Sequence, residues 1–181
     1  MTNPFQEVLM LLAGTSTILV PTDFSDASER ALTAAIELAR MWKSSIELLH
    51  VSVDPTFVAM PPGSILPIPV DLTESIAEDN GQLTAAAARV RLLSIDCTTA
   101  TSSGRTHVEI VDHAIKIGAG LIAMGTHEHR GISQTLLGSV AEKVLRHAPC
   151  PVLVVPLLPG QAEKKIEDSV FLTPDLAPEP A

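Results

Sequence analysis

The chain has 181 residues, of which 46% are hydrophobic and 18% are charged, and its mean hydropathy is +0.30. Its net charge of −9 and its aromatic content of 3% argue against nucleic acid or an anionic membrane as the main partner, because those partners need Lys/Arg clusters. So apolar a composition fits one domain built on a sheet that is buried on both faces.

The first 16 residues form an N-terminal leader in this interpretation. The apolar run at 8–14 resembles the core of a secretory signal, but the first basic residue is Arg30, and a signal peptide needs a positive start. No apolar run reaches the roughly 18 residues that span a bilayer. We therefore expect a cytoplasmic protein, with Cys97 and Cys150 as free, buried thiols in a reducing compartment.

The predicted domain begins with a strand, a helix and a second strand. The apolar run 17–21 ends in Pro21, and Asp26 precedes Glu29 by the three residues of a capping box. Apolar residues then recur at helical spacing, and 45–51 is a second buried strand. Such a unit forms one right-handed crossover.

A Pro-rich segment follows over residues 52–72 and contains five prolines. Proline removes an amide donor and fixes φ, so this segment cannot be a helix. Long loops of this kind often cover ligands, although a plain surface excursion fits equally well. The alternating pattern then resumes with a helix over 73–92 and a strand over 95–102.

Two further helices and two further strands complete the predicted sheet. Thr106 and Ser139 are each followed three residues later by glutamate, which is again capping-box spacing. The first of these helices should end near Gly118, and the strands are 121–125 and 151–156. Five parallel strands with helices on both faces define a single doubly wound α/β domain.

In such sheets, ligands bind beyond the carboxyl ends of the strands, where the strand order reverses. Residues at these ends are therefore the binding candidates. They are Pro21, Thr22 and Asp23 after the first strand, Val51 after the second, and Met124 and Gly125 after the fourth.

The stretch from Gly125 to Ser139 has features of an anion-binding loop. Its glycines let the backbone approach a ligand closely, and Gly138 and Ser139 open a helix whose free amides attract phosphate. A purely structural alternative makes Ser139 only an N-cap and Gly138 only a point of close helix packing.

Three segments together resemble the universal stress protein family in its ATP-binding branch: ILVPTDFS, ELLHV and the long run from MGTH to LLGSVAEKVLRHAPCPVLVVP. The resemblance covers residues 17–156 and implies a five-stranded parallel sheet in the order 3-2-1-4-5. It leaves 1–16 as the leader and 157–181 as a Pro- and acid-rich tail, whose composition is typical of flexible segments.

The resemblance also implies a nucleotide site. The family's motif is Gly, two residues, Gly, nine residues, Gly, then Ser or Thr, and Gly125, Gly138 and Ser139 match three of its positions. By this resemblance, Asp23 and Val51 contact adenine, Met124 and Gly125 line the floor of the site, and Ser139 and Val140 hold phosphate oxygens.

Glu128 stands where the motif has its second glycine. Its β-carbon would cost about 1–2 kcal/mol in a backbone suited to glycine, and its charge would repel a phosphate by up to about 4 kcal/mol. Against this, His127, His129 and Arg130 flank it, and it could face solvent or help hold Mg²⁺. Two functions stay open: an ATP-binding module, with or without Mg²⁺, and a module of the same fold that has lost nucleotide binding.

The sequence does not indicate a dedicated enzyme. It has no nucleophile elbow and no paired carboxylates, so at most a slow ATPase activity is expected. The run GAGLIA at 118–123 precedes a strand and is better explained as a helix stop than as a dinucleotide motif. The histidines around Glu128 lack the supporting ligands of a metal site.

The last predicted strand, 151–156, lies at a sheet edge, where unpaired backbone groups invite pairing. The resemblance implies an antiparallel homodimer through this strand, although the tail could instead cover it. Nucleotide binding would then alter a surface for a protein partner that the sequence does not identify.

Overall fold

The computed structural model describes residues 16–52, 72–126 and 138–156, with side chains in the second range described from residue 77. The predictions for the leader, the Pro-rich segment, Glu128 and the tail concern residues outside these ranges. The described elements are β1 Thr17–Thr22, α1 Asp26–Trp42, β2 Ser45–Ser52, α2 Leu72–Leu92, β3 Cys97–Ser103, α3 Thr106–Ile117, β4 Leu121–Thr126, α4 Ser139–His147 and β5 Val152–Pro156.

The five strands form one parallel sheet in the order β3-β2-β1-β4-β5. The predicted fold class and strand order are confirmed. The order reverses at β1, since the chain adds β2 and β3 on one side and β4 and β5 on the other. The last strand is at a sheet edge, as predicted.

Helices cover both faces of the sheet. Side chains alternate along each strand, so Ile18 and Val20 enter one core together with apolar residues of α1 and α2. Leu19 and Leu49 enter a second core with α3 and α4. The apolar strands predicted from composition are therefore explained by burial on two sides.

The start of α1 was placed correctly, but its cap was not. The N-cap is Ser25, whose side chain accepts a hydrogen bond from the Ser28 amide at 3.3 Å. Asp26 and Glu29 are instead first-turn residues, where their charges favour the positive end of the helix.

The other two capping boxes are also one residue out of register. The N-caps of α3 and α4 are Arg105 and Gly138, and neither makes a side-chain capping bond. Thr106 and Ser139 are thus the first helical residues. The helix stop at Gly118 is confirmed, because this residue closes α3 in the left-handed conformation, with φ of 61°.

Both cysteines are free, as predicted. Cys97 is buried in β3, whereas Cys150 is only partly buried. Burial raises the pKa of the Cys97 thiol to about 11 and also raises the pKa of Cys150. Both side chains are therefore neutral thiols near pH 7, which makes them poor nucleophiles. Within the described ranges, the helices are too short or too polar to cross a membrane.

Candidate functional site

The candidate site lies where β1 and β4 separate. Within these two described strands, pairing is confined to Ile18 with Leu121 and Leu19 with Ile122. The carboxyl-terminal ends, residues 20–22 and 123–126, have no paired register with each other. We call the region between these unpaired ends the β1–β4 crevice. It coincides with the reversal of strand order, which is where doubly wound sheets bind ligands.

One side of the crevice is apolar. Val51 and Met124 belong to the core on the α3/α4 face, and Val140 packs against the same core from the first turn of α4. Pro21 follows Leu19 by two residues in β1, so strand alternation directs it toward this face. Of the predicted site residues, the structure thus brings Val51, Met124 and Val140 to one face of the sheet.

Gly125 faces the other side of the sheet, toward α1. A β-carbon at this position would lie 2.2 Å from the carbonyl oxygen of Ala27 in α1. Glycine is needed here because helix α1 crosses the strand at close range. Packing against α1 is a sufficient reason for glycine at this position, and the place of Gly125 in the floor of a nucleotide site stays a prediction.

The first turn of α4 closes the site at the α3/α4 face. Ser139 is exposed and is the first helical residue, and the cap at Gly138 provides no side-chain partner. Gly138 has φ of −54° and ψ of 148°, which any residue can adopt, so its backbone angles do not explain the glycine. Backbone amides at such a helix start can bind anions.

The turn between β1 and α1 is tightly hydrogen-bonded. Asp23 accepts bonds through Oδ1 from the Ser25 amide, at 3.2 Å, and from the Ser25 hydroxyl, at 2.6 Å. Phe24 adopts a left-handed conformation with φ of 60°, and its amide donates to Thr22 Oγ1 at 3.1 Å. A bulky residue in this region costs about 1–2 kcal/mol, and strain of this kind can accompany a functional site; Lys43 and Ser94, which follow helices, adopt similar angles.

His50 supports this turn from β2. Its Nδ1 lies 2.9 Å from the carbonyl oxygen of Thr22, and its ring stacks on Phe24 with centroids 4.7 Å apart. On the other side, Nε2 lies 3.3 Å from Oδ2 of Asp79 in α2. Sequence analysis did not identify these three residues. A polar residue inside the apolar run ELLHV was the one available signal, and it pointed to His50 alone.

A model of the universal stress protein family matches residues 14–156. The chain belongs to the universal stress protein family. The match spans all the described strands and helices, and it supports a role in the response to stress.

Individual universal stress proteins give the same result. Universal stress protein MJ0531 of Methanocaldococcus jannaschii is 34% identical over 142 residues, covering 76% of this chain and 80% of the relative. The solved structure of MJ0577, from the same organism, has a TM-score of 0.66 at 27% identity and covers 80% of this chain and 98% of that one. A family structure from Burkholderia pseudomallei has a TM-score of 0.62 at 32% identity, covering 79% and 97%.

This universal stress protein has a second polar region, between β3 and α3. A cavity of about 320 Å³ is lined there by Ala100, Thr101, Ser102, Glu109, Asp112, His113 and Lys116. Beside it, His113 Nε2 lies 2.6 Å from Glu47 Oε1, and Thr98 donates to the other oxygen of Glu47 at 3.2 Å. We call this region the β3–α3 cavity; within its lining, the Ser102 hydroxyl donates to the Glu109 carboxylate. Among the described residues, no three potential ligands are grouped for a metal ion.

Proposed function

We propose that this universal stress protein is an adenine-nucleotide module that binds ATP in the β1–β4 crevice and acts in the stress response through nucleotide-responsive conformation. The observation that supports this proposal most strongly is the end of pairing between β1 and β4 after Leu19 and Ile122. The unpaired strand ends lie at the reversal of strand order, and the β1–α1 turn and α4 follow β1 and β4 in the chain.

The surroundings of the crevice suit the parts of ATP. Val51, Met124 and Val140 offer an apolar surface for the purine, and apolar pockets with a few placed polar groups are typical of cofactor sites. Asp23 adds a carboxylate that can accept hydrogen bonds. The amides that open α4 near Ser139 suit phosphate oxygens.

Glu128 decides between the two functions that remain open. If its carboxylate faces the phosphates, repulsion of a few kcal/mol would remove most of the affinity, because each 1.4 kcal/mol is about a tenfold change. The alternative is then a dimeric interaction module with the same fold and no nucleotide. If the carboxylate faces solvent or helps to hold Mg²⁺, ATP binding is kept.

Calorimetric titration of ATP, ADP and AMP, with and without Mg²⁺, tests the proposal on the parent chain and on Glu128→Gly. We expect the parent chain to bind ATP and Glu128→Gly to bind at least as tightly. Asp112→Asn, at the β3–α3 cavity, is the control and should match the parent chain. Binding by Glu128→Gly alone would favour the interaction module, and absence of binding in every chain would refute the crevice as a nucleotide site.

We also propose a cytoplasmic homodimer that pairs two copies of β5 and presents a nucleotide-dependent surface to a protein partner. The support is that β5 is an edge strand whose residues are only partly buried. Val154→Pro removes one backbone donor from this edge. Analytical ultracentrifugation should then show a dimer for the parent chain and a shift toward monomer for the variant; a parent monomer would refute the dimer.

A further inference from the structure

His50 connects three elements at the rim of the crevice. The residue is 9% exposed, and its ring lies between the β1 carboxyl end, the β1–α1 turn and α2. Its partners there are the Thr22 carbonyl, the Phe24 ring and the Asp79 carboxylate. It is therefore placed to transmit the position of α2 to the turn that carries Asp23.

The contacts of the two ring nitrogens of His50 require different protonation. A carbonyl oxygen only accepts hydrogen bonds, so Nδ1 must carry a proton to bond with Thr22. In the neutral ring, Nε2 then has a lone pair that faces the Asp79 carboxylate, and this contact is unfavourable. In the doubly protonated ring, both nitrogens carry protons, and the contact with Asp79 at 3.3 Å becomes an ion pair.

Asp79 is the charged group that the structure pairs with His50. From α1, Glu29 is bound by Arg89 of α2, at 2.7 and 3.0 Å. From the turn, Asp23 is bonded to Ser25. The β3 neighbour of His50 is Thr101, which is uncharged, and Glu78 beside Asp79 on α2 is exposed.

We propose that His50 is a positioning residue whose protonation tightens α2 against the β1–α1 turn and thereby strengthens nucleotide binding in the crevice. Histidine is the side chain whose charge ordinarily changes between about pH 5 and 8. The part that concerns affinity rests on the proposed nucleotide function. The part that concerns the turn does not depend on it.

The variant Asp79→Asn keeps a polar contact with His50 but removes the negative charge that makes this contact depend on protonation. A side-chain amide can donate to an unprotonated Nε2 or, after flipping, accept from a protonated one. The contact is therefore kept, and its dependence on protonation is lost. Glu47→Gln makes the same chemical change in the other His–carboxylate pair, on the opposite face of β2, and is the matched control.

The first measurement is the ATP dissociation constant at about pH 6 and about pH 8, by calorimetry, for the parent chain and both variants. The phosphate groups of ATP also titrate, but this contribution is common to all three proteins. We expect the parent chain and Glu47→Gln to lose about three- to fivefold more affinity than Asp79→Asn as the pH rises. The same pH dependence in Asp79→Asn and the parent chain would overturn the proposal.

The second measurement needs no nucleotide. Hydrogen exchange of the amides in residues 22–28, corrected for intrinsic rates, should slow at the lower pH in the parent chain and in Glu47→Gln but not in Asp79→Asn. If no chain binds ATP, the proposed function fails and this measurement alone decides the role of His50. Equal pH dependence of exchange in the parent chain and Asp79→Asn would then refute it.

Discussion

Two histidine–carboxylate pairs use the same strand, β2, but they serve opposite faces of the sheet. His50 meets Asp79 of α2 at 3.3 Å, beside the crevice, and Glu47 meets His113 of α3 at 2.6 Å, beside the β3–α3 cavity. The two pairs are similarly buried: the side chains of His50 and Asp79 are 11% and 26% exposed, and those of His113 and Glu47 are 13% and 17% exposed.

The pairs differ in what they hold. Both oxygens of Glu47 bond to side chains, those of His113 and Thr98. This pair therefore makes hydrogen bonds to side chains and none to the backbone of a turn. His50 instead bonds to the backbone of Thr22 and supports the strained Phe24. We therefore propose the binding site beside the polar contacts that hold the strained Phe24, and not at the β3–α3 cavity.

The largest loss of stability is expected where β4 packs closely against α1, at Gly125. Gly125→Ala places a β-carbon 2.2 Å from the Ala27 carbonyl, and neither backbone can move freely. We expect a loss of about 3 kcal/mol or more in unfolding free energy, measured by urea denaturation. The control is Gly81→Ala in α2, where the new β-carbon meets nothing within 4 Å and should stabilise by about 0.5–1 kcal/mol. Equal effects of the two changes would contradict the packing role of Gly125.

The next largest effect is the pH dependence of stability that comes from Cys97 in β3. Burial raises the pKa of this thiol from 9.0 to about 11, Arg91 opposes the shift and Glu47 adds to it. Between these two pKa values the unfolded chain loses the proton and the folded chain keeps it, so stability falls as pH rises from about 9 to 11, by about 2–3 kcal/mol. Urea denaturation across this range should show a shallower fall for Cys97→Ala. An unchanged slope would show that the thiol does not titrate as stated.

The N-caps of α1 and α3 should differ in how much they contribute to stability, by a smaller amount. Ser25→Ala removes the capping bond to Ser28 and a partner of Asp23, and we expect a loss of about 1 kcal/mol in thermal or urea unfolding. Thr106→Ala, at the start of α3, removes no side-chain cap and should change stability by less than about 0.5 kcal/mol. A larger loss for Thr106→Ala would show that the caps have been assigned to the wrong helix.

The smallest effect should come from the second pair itself. Glu47→Gln keeps one acceptor oxygen, and its new amide group can donate to the Thr98 hydroxyl or to an unprotonated His113 Nε2, so we expect a loss of less than about 1 kcal/mol and no change in ATP affinity. Calorimetry and urea denaturation on the same sample check both parts. Reduced ATP affinity would mean that the two faces are coupled and that the contrast between the pairs is wrong.

The elements were predictable because their signals are local. Apolar runs and helical spacing located all five strands and the four described helices to within two residues, and the family resemblance supplied the strand order. The caps were misplaced because an acidic first turn and a true capping box look alike in sequence, as at Asp26. Gly125 against Ala27 and His50 against Asp79 join residues far apart in the chain, and no local pattern reveals such contacts.

Photo-crosslinking with an azido-adenine nucleotide tests the central claim, that the crevice and not the β3–α3 cavity holds the nucleotide. After proteolysis and mass spectrometry, we expect the label in peptides from residues 17–30, 121–126 or 138–147, with competition by unlabelled ATP. Label confined to residues 97–117 would contradict the account.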